Sequence, residues 1–167
     1  MAKFDLEKIV SRGGNSKLNC AIGALAAFIT FLIYLPALGN DFVNWDDQMY
    51  VYLNHNIRHF DFAFLKWAFK TDVFNAYWHP LTLITYGLDY QVLGLNPFQY
   101  HLTNVVFHAL NTFLVFCLGL TLYRTARREA GAAGPLNAGA VVAGLVSAFL
   151  FGVHPQHVES VAWISER

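Results

Sequence analysis

Apolar residues fall into three runs along the chain, and polar residues collect between them. Leu18 to Leu38, LNCAIGALAAFITFLIYLPAL, holds no charged residue; a helix needs roughly 20 such residues to cross a bilayer core. A second run occupies residues 99–123 and includes YHLTNVVFHALNTFLVFCLGLTLY; it stops at Arg124. A third, AGAVVAGLVSAFLFGV at residues 138–153, is shorter and ends before His154-Pro155. The pattern predicts an all-α integral membrane protein with about three transmembrane helices. A signal peptide is the competing reading of the first run, with Ala37-Leu38-Gly39 as a small-residue cleavage site. The run exceeds the roughly 7–15 residues of a signal h-region, which favours an uncleaved anchor.

Composition strengthens this class. The chain is 56% hydrophobic and 13% charged, whereas soluble domains carry about a quarter charged residues. The formal net charge of zero gives no sign of a nucleic-acid partner, so the placement of charge is the informative part. Lys3, Lys8, Arg12 and Lys17 precede the first run, and Arg124, Arg127 and Arg128 follow the second. By the positive-inside rule both segments face the cytoplasm. The expected layout is a cytoplasmic tail (1–17), spans at 18–38, 99–123 and 138–153, a cytoplasmic loop at 124–137, and outer segments at 39–98 and 154–167. The long outer loop, periplasmic or lumenal, carries Arg58, Lys66 and Lys70 against aspartates at 41, 46, 47, 61, 72 and 89. Cys20 and Cys117 lie within apolar runs and read as packing residues.

That loop is not a polar linker. DFAFLKWAFK (61–70) sets Phe62, Leu65 and Phe69 at helical spacing, and LTLITYGLDYQVLGL (81–95) mixes apolar residues with tyrosines and Asp89. Amphipathic, aromatic-rich helices suit a membrane interface, and a small folded cap is the alternative. Within the second span, His101, Asn104, His108, Asn111 and Thr112 fall in an arc of about 100° at about 100° per residue. Such a stripe is expected to face other helices or a wet cavity rather than lipid. His101, nearest the outer surface, is a candidate for substrate contact, and His108 and Asn111 read as structural.

Three motifs bear candidate chemistry. VNWDDQMYV places Asp46 beside Asp47: two solvated acids, hard oxygen ligands for a divalent cation, or a general base with a charged neighbour. Adjacent side chains diverge on a helix or a strand, so both cannot easily address one atom. YWHPL (77–81) and HPQHVES (154–160) each place a histidine before proline, which holds His79 and His154 out of the α region and can open a helix. His154, His157 and Glu159 do not complete a zinc set. A divalent metal is possible, and no cofactor is certain. Glu159 reads better as a hydrogen-bond partner for a sugar or a backbone group.

Taken together, the DD pair, YWHPL, HLTNVVFHALN in the second span and HPQHVESVAWISER after the third resemble one family. Residues 18–167 are similar to the N-terminal part of the polytopic glycosyltransferases of the C superfamily, most of all the transmembrane-and-tetratricopeptide-repeat protein O-mannosyltransferases and their bacterial relatives. The resemblance implies a polyprenyl-phosphate-linked sugar as donor, possible mannose transfer, and Ser or Thr of an acceptor protein as target. Their first outer loop carries an acidic motif near the membrane, which maps onto Asp46 and Asp47. Asp46 is the first choice to activate the hydroxyl in an inverting transfer. His79, His101, His154, His157 and Glu159 are the candidate substrate-binding residues. The departing phosphate needs cationic or hydrogen-bonding partners, and no arginine or lysine is evident in a suitable place.

Family members have many more spans and often tetratricopeptide repeats, and this chain shows neither. It ends at Ile164-Ser165-Glu166-Arg167 within what reads as a continuing helix. The expectation is an N-terminal fragment that does not turn over alone. The alternative is a small non-catalytic membrane protein that packs against partner helices through the His/Asn stripe.

Overall fold

The computed structural model describes residues 16–70, 77–131 and 138–167. Lys3, Lys8, Arg12 and Asp72 lie outside the described residues, as do most of the expected cytoplasmic tail and residues 132–137 of the expected cytoplasmic loop. Every regular element among the described residues is helical: α1 (Ser16–Ile33), α2 (Phe62–Lys70), α3 (Pro80–Leu93), α4 (Pro97–Glu129), α5 (Ala138–Gly152) and α6 (His157–Ala162). Short 3-10 turns at Leu35–Gly39, His55–Arg58 and Ile164–Glu166 and a π turn at Gln48–Tyr52 complete the regular elements of the described residues. The all-α expectation holds.

The chain forms two compact units, and α4 contributes to both. The first contains α1, α4 from Phe107 onward, and α5. Around a core that includes Phe116 and Leu120, it carries large apolar residues on its outward face, unlike a water-soluble bundle. α1 buries Asn19, Gly23, Ala26 and Thr30 and exposes Leu25, Phe28, Leu32 and Ile33. α5 buries Ala140, Val141, Gly144, Ala148 and Gly152 and exposes Val142, Val146 and Leu150. Small residues of α1 and α5 at the helix contacts, with large apolar residues outward, is an arrangement suited to lipid. Close approach depends on those small residues: a Cβ on Gly119 would lie 3.0 Å from the Gly144 Cα, and one on Gly23 would lie 2.6 Å from the Phe116 ring.

α1 and α4 are long and apolar enough to cross a membrane; α5, with 15 residues, is a shorter apolar helix. At 1.5 Å per residue α5 extends about 22 Å, against a hydrocarbon core of about 30 Å. Two boundaries differ from the sequence reading. α1 gives way after Ile33 to a 3-10 turn with Pro36 in its first positions, because proline cannot donate to a continuing helix. α4 runs past Tyr123 to Glu129; nothing in RTARRE breaks a helix, and arginine, alanine and glutamate favour one.

The second unit comprises residues 34–106 and 158–167. Its core gathers Tyr50, Val51, Ile57, Phe64, Ala68, Leu83, Tyr86, Tyr100 and Ile164. Pro80 opens α3 directly after His79, which keeps non-helical dihedrals of −139° and 65°, as the His-Pro pair predicts. α2 turns Phe64 and Ala68 inward and leaves Phe62 and Phe69 outward. Gly94, at φ 62°, ends α3 in a region that costs glycine little. The C-terminal segment is not one helix: α6 stops at Ala162, and Trp163 is extended before the last 3-10 turn. This break replaces the continuing helix expected from the sequence. It lets Ile164 bury completely while its carbonyl accepts a hydrogen bond from the Tyr86 hydroxyl at 3.0 Å.

Candidate functional site

The second unit holds a polar cavity of about 440 Å³ lined by Asp46, Tyr50, Tyr77, His79, Thr82, Ser165, Glu166 and Arg167. Both Asp46 and His79 line it, although they come from separate sequence motifs. The adjacent acids part company here. Asp46 faces the cavity and is half-buried. Asp47 is 1% exposed and accepts hydrogen bonds from the backbone N–H of Val43 and of Ser165, each at 3.0 Å. Its carboxylate ties the 43–47 turn to the C-terminal segment. Tyr50 and His79 pack ring to ring with centroids 5.1 Å apart.

Electrostatics follow from this packing. Burial pulls the His79 pKa below its ordinary value, so the imidazole is neutral at pH 7. Burial raises the Tyr50 pKa, and Asp46, Tyr77 and Glu166 push it further in the same direction; these groups share one local field. Burial also pushes the Tyr86 phenol well up, with the Arg167 cation acting in the opposite sense.

Arg167 is the cation that sequence reasoning missed. Its guanidinium pairs with Asp89 at 2.7 Å, donates to Thr85 Oγ1 at 2.7 Å and to the Tyr100 carbonyl at 2.8 Å, and bonds Asn104 Oδ1. It also lies 4.8 Å from the Tyr86 ring centroid. Asp89 accepts in addition from Gln99 and from the Thr103 hydroxyl. One signal pointed to this pair: an aspartate alone in an apolar, tyrosine-rich helix requires a cationic partner when buried.

The remaining candidates lie elsewhere. His101 is 1% exposed and does not line the cavity. Asn104 donates to the carbonyls of Val161 and Trp163, so this part of the stripe binds the C-terminal segment. Glu159 is exposed on α6 and is not among the cavity residues. In the first unit, His108 Nε2 lies 2.9 Å from the Gly152 carbonyl. The His157 ring sits 5.4 Å from His108, 4.5 Å from Phe151 and 6.2 Å from the exposed His154. Thr112 is buried and donates to the His108 carbonyl. Asn111 is exposed, which corrects its assignment to the structural face: at about 100° per residue it marks the edge of the arc. Among the described residues, no three His, Cys, Asp or Glu side chains are grouped so as to hold a metal ion.

Together these features define, among the described residues, an all-α protein with two helices fit to cross a bilayer and a polar pocket in its second unit. Sequence comparison identifies relatives. Over 148 residues the chain is 31% identical to protein O-mannosyl-transferase Tmtc1 of Drosophila melanogaster, covering 83% of this chain and 15% of that protein. Over 154 residues it is 30% identical to protein O-mannosyl-transferase TMTC1 of Homo sapiens, covering 86% and 16%. Drosophila Tmtc2 is 28% identical over 147 residues, covering 83% and 14%. Over most of its length the chain is thus similar to protein O-mannosyl-transferases of the TMTC group. It spans about one sixth of the length of the curated relatives it matches. No protein-family model and no solved structure matches it.

Proposed function

We propose that this chain is part of a membrane glycosyltransferase that moves a sugar, mannose by analogy with its relatives' names, from a polyprenyl-phosphate donor to a Ser or Thr hydroxyl of an acceptor protein. The observation that carries the reading is the Asp46 carboxylate opening onto a polar cavity in a chain similar to protein O-mannosyl-transferases. Asp46 takes the hydroxyl proton as the acceptor oxygen attacks the anomeric carbon. The bond from that carbon to the phosphate oxygen breaks, and the lipid phosphate leaves with the electron pair, inverting the configuration. A carboxylate so placed meets the geometric requirement of a general base.

Asp47 has a different role, that of a positioning residue. Its two backbone hydrogen bonds fix the turn from which Asp46 projects. Neutral His79 lines the same cavity and offers the substrate one ring N–H donor and one acceptor nitrogen. The apolar outward face of the first unit supports a bilayer location. There an apolar cavity of about 650 Å³, lined by Leu145, Phe149, Leu150, Val153, His154 and Pro155 among others, suits a prenyl chain. In the proposed topology the arginine-bearing end of α4 is cytoplasmic and the second unit lies on the periplasmic or lumenal side, following the positive-inside rule.

The test is transfer of labelled mannose from a polyprenyl-phosphate donor to a threonine peptide by the complete gene product, with and without a chelator. Transfer that Asp46→Asn abolishes while the protein still inserts supports the reading. Undiminished transfer by Asp46→Asn removes this carboxylate from the mechanism. Absence of transfer with several donor sugars overturns the reading itself.

A further inference from the structure

The charges around the cavity are unequal in their freedom. Asp46 and Glu166 both line it, and both act on the Tyr50 phenol. Arg167 lines it too, but its charge is matched by Asp89, and its donors are engaged by Thr85, Asn104 and the Tyr100 carbonyl. The imidazole of His79 adds no positive charge at neutral pH, because burial lowers its affinity for a proton. Ser165 also lines the cavity, and its buried hydroxyl has no hydrogen-bond partner. The space therefore combines two carboxylates with an unused hydroxyl and aromatic walls from Tyr50 and Tyr77. An anionic phosphate would enter against two like charges. A neutral hydroxyl next to a cation would not.

We infer that this cavity is the acceptor side of the site, that it selects Ser or Thr hydroxyls flanked by lysine or arginine, and that Glu166 sets this selectivity. The inference rests on the glycosyltransferase reading and assigns the substrate class that enters here. Asp46 addresses the hydroxyl, and Glu166, exposed at the rim, faces the flanking cation. HPQHVESVAWISER gave no reason to single out Glu166: a glutamate in the last positions of a helix-like segment reads as a solvated surface group. Only the break after Ala162 brings it to the cavity that Asp46 also lines.

The experiment measures binding of two fluorescent peptides to the full chain in nanodiscs without a sugar donor. One places lysines on both sides of a threonine, and the other places glutamates there. The lysine peptide is expected to bind roughly fivefold tighter or more, the worth of about one partly exposed ion pair. Glu166→Gln should remove most of that ratio, and about 0.5 M salt should shrink it through screening. Equal binding of the two peptides, tighter binding of the glutamate peptide, or a ratio that survives Glu166→Gln overturns the inference. The two readings fail separately: charge-selective binding without sugar transfer removes the enzyme and keeps the cavity's preference, whereas transfer indifferent to flanking charge does the reverse.

Discussion

Arg167 and Asp89 meet at 2.7 Å with side chains only 6% and 4% exposed. This pair fastens the C-terminal turn onto α3, and the same turn brings Ser165 to Asp47. Removing one partner of a buried ion pair typically costs about 3–5 kcal/mol, because the other is left uncompensated. Arg167→Ala is therefore expected to lower the thermal midpoint sharply. Adding Asp89→Asn to Arg167→Met should recover part of the loss. A double-mutant cycle by thermal unfolding checks the coupling.

Asp46 and Asp47 should respond oppositely to the same chemical change. Asp47→Asn keeps one acceptor oxygen where two backbone donors are now satisfied. A hydrogen bond to a charged group is worth about 1.5–3 kcal/mol, and a loss on that order is expected. Asp46→Asn makes no such demand and should change stability by less than about 0.5 kcal/mol, while sugar transfer by the complete protein disappears. Paired unfolding and transfer assays separate the two roles.

His79 gives a pH signature. Its folded pKa lies below the unfolded value of 6.5, so as pH falls through 6.5 the unfolded chain takes up the proton first. Stability from this group then declines until pH reaches the folded pKa, and above the unfolded pKa it contributes no slope. NMR titration should place the His79 midpoint below 6.5, and His79→Gln should reduce the acid-side loss of stability. A midpoint at or above 6.5 contradicts the burial argument.

Gly119 lies where the backbone of α4 approaches that of α5, with an added Cβ 3.0 Å from the Gly144 Cα. Gly119→Leu would drive its side chain into the Gly144 backbone, with overpacking typically costing about 1–3 kcal/mol. Gly39→Ala, with nothing within 4 Å of its added carbon, is the matched control and should be tolerated. Thermal stability in detergent reads the difference.

The proposed orientation can be read by labelling. With Cys20 and Cys117 replaced by serine, Trp45→Cys, at a position 70% exposed, should react with an impermeant maleimide from outside intact cells. Arg128→Cys should react only after the membrane is opened. The reverse pattern would invert the topology.

The elements themselves were largely legible in the sequence. Apolar runs located α1, α4 and α5, and the His-Pro pair marked the start of α3, since helix propensity, proline geometry and hydrophobic length are local properties. The polar stripe on α4 was visible for the same reason, and His101, Asn104, His108 and Thr112 are indeed buried. Asn111 escaped because it sits at the arc's edge, where a small rotation decides burial. The divergence of Asp46 from Asp47, the break after Ala162 and the partner of Asp89 were decided by tertiary structure. Each depends on where a distant backbone N–H or guanidinium comes to rest, and no periodicity within one helix encodes that distance.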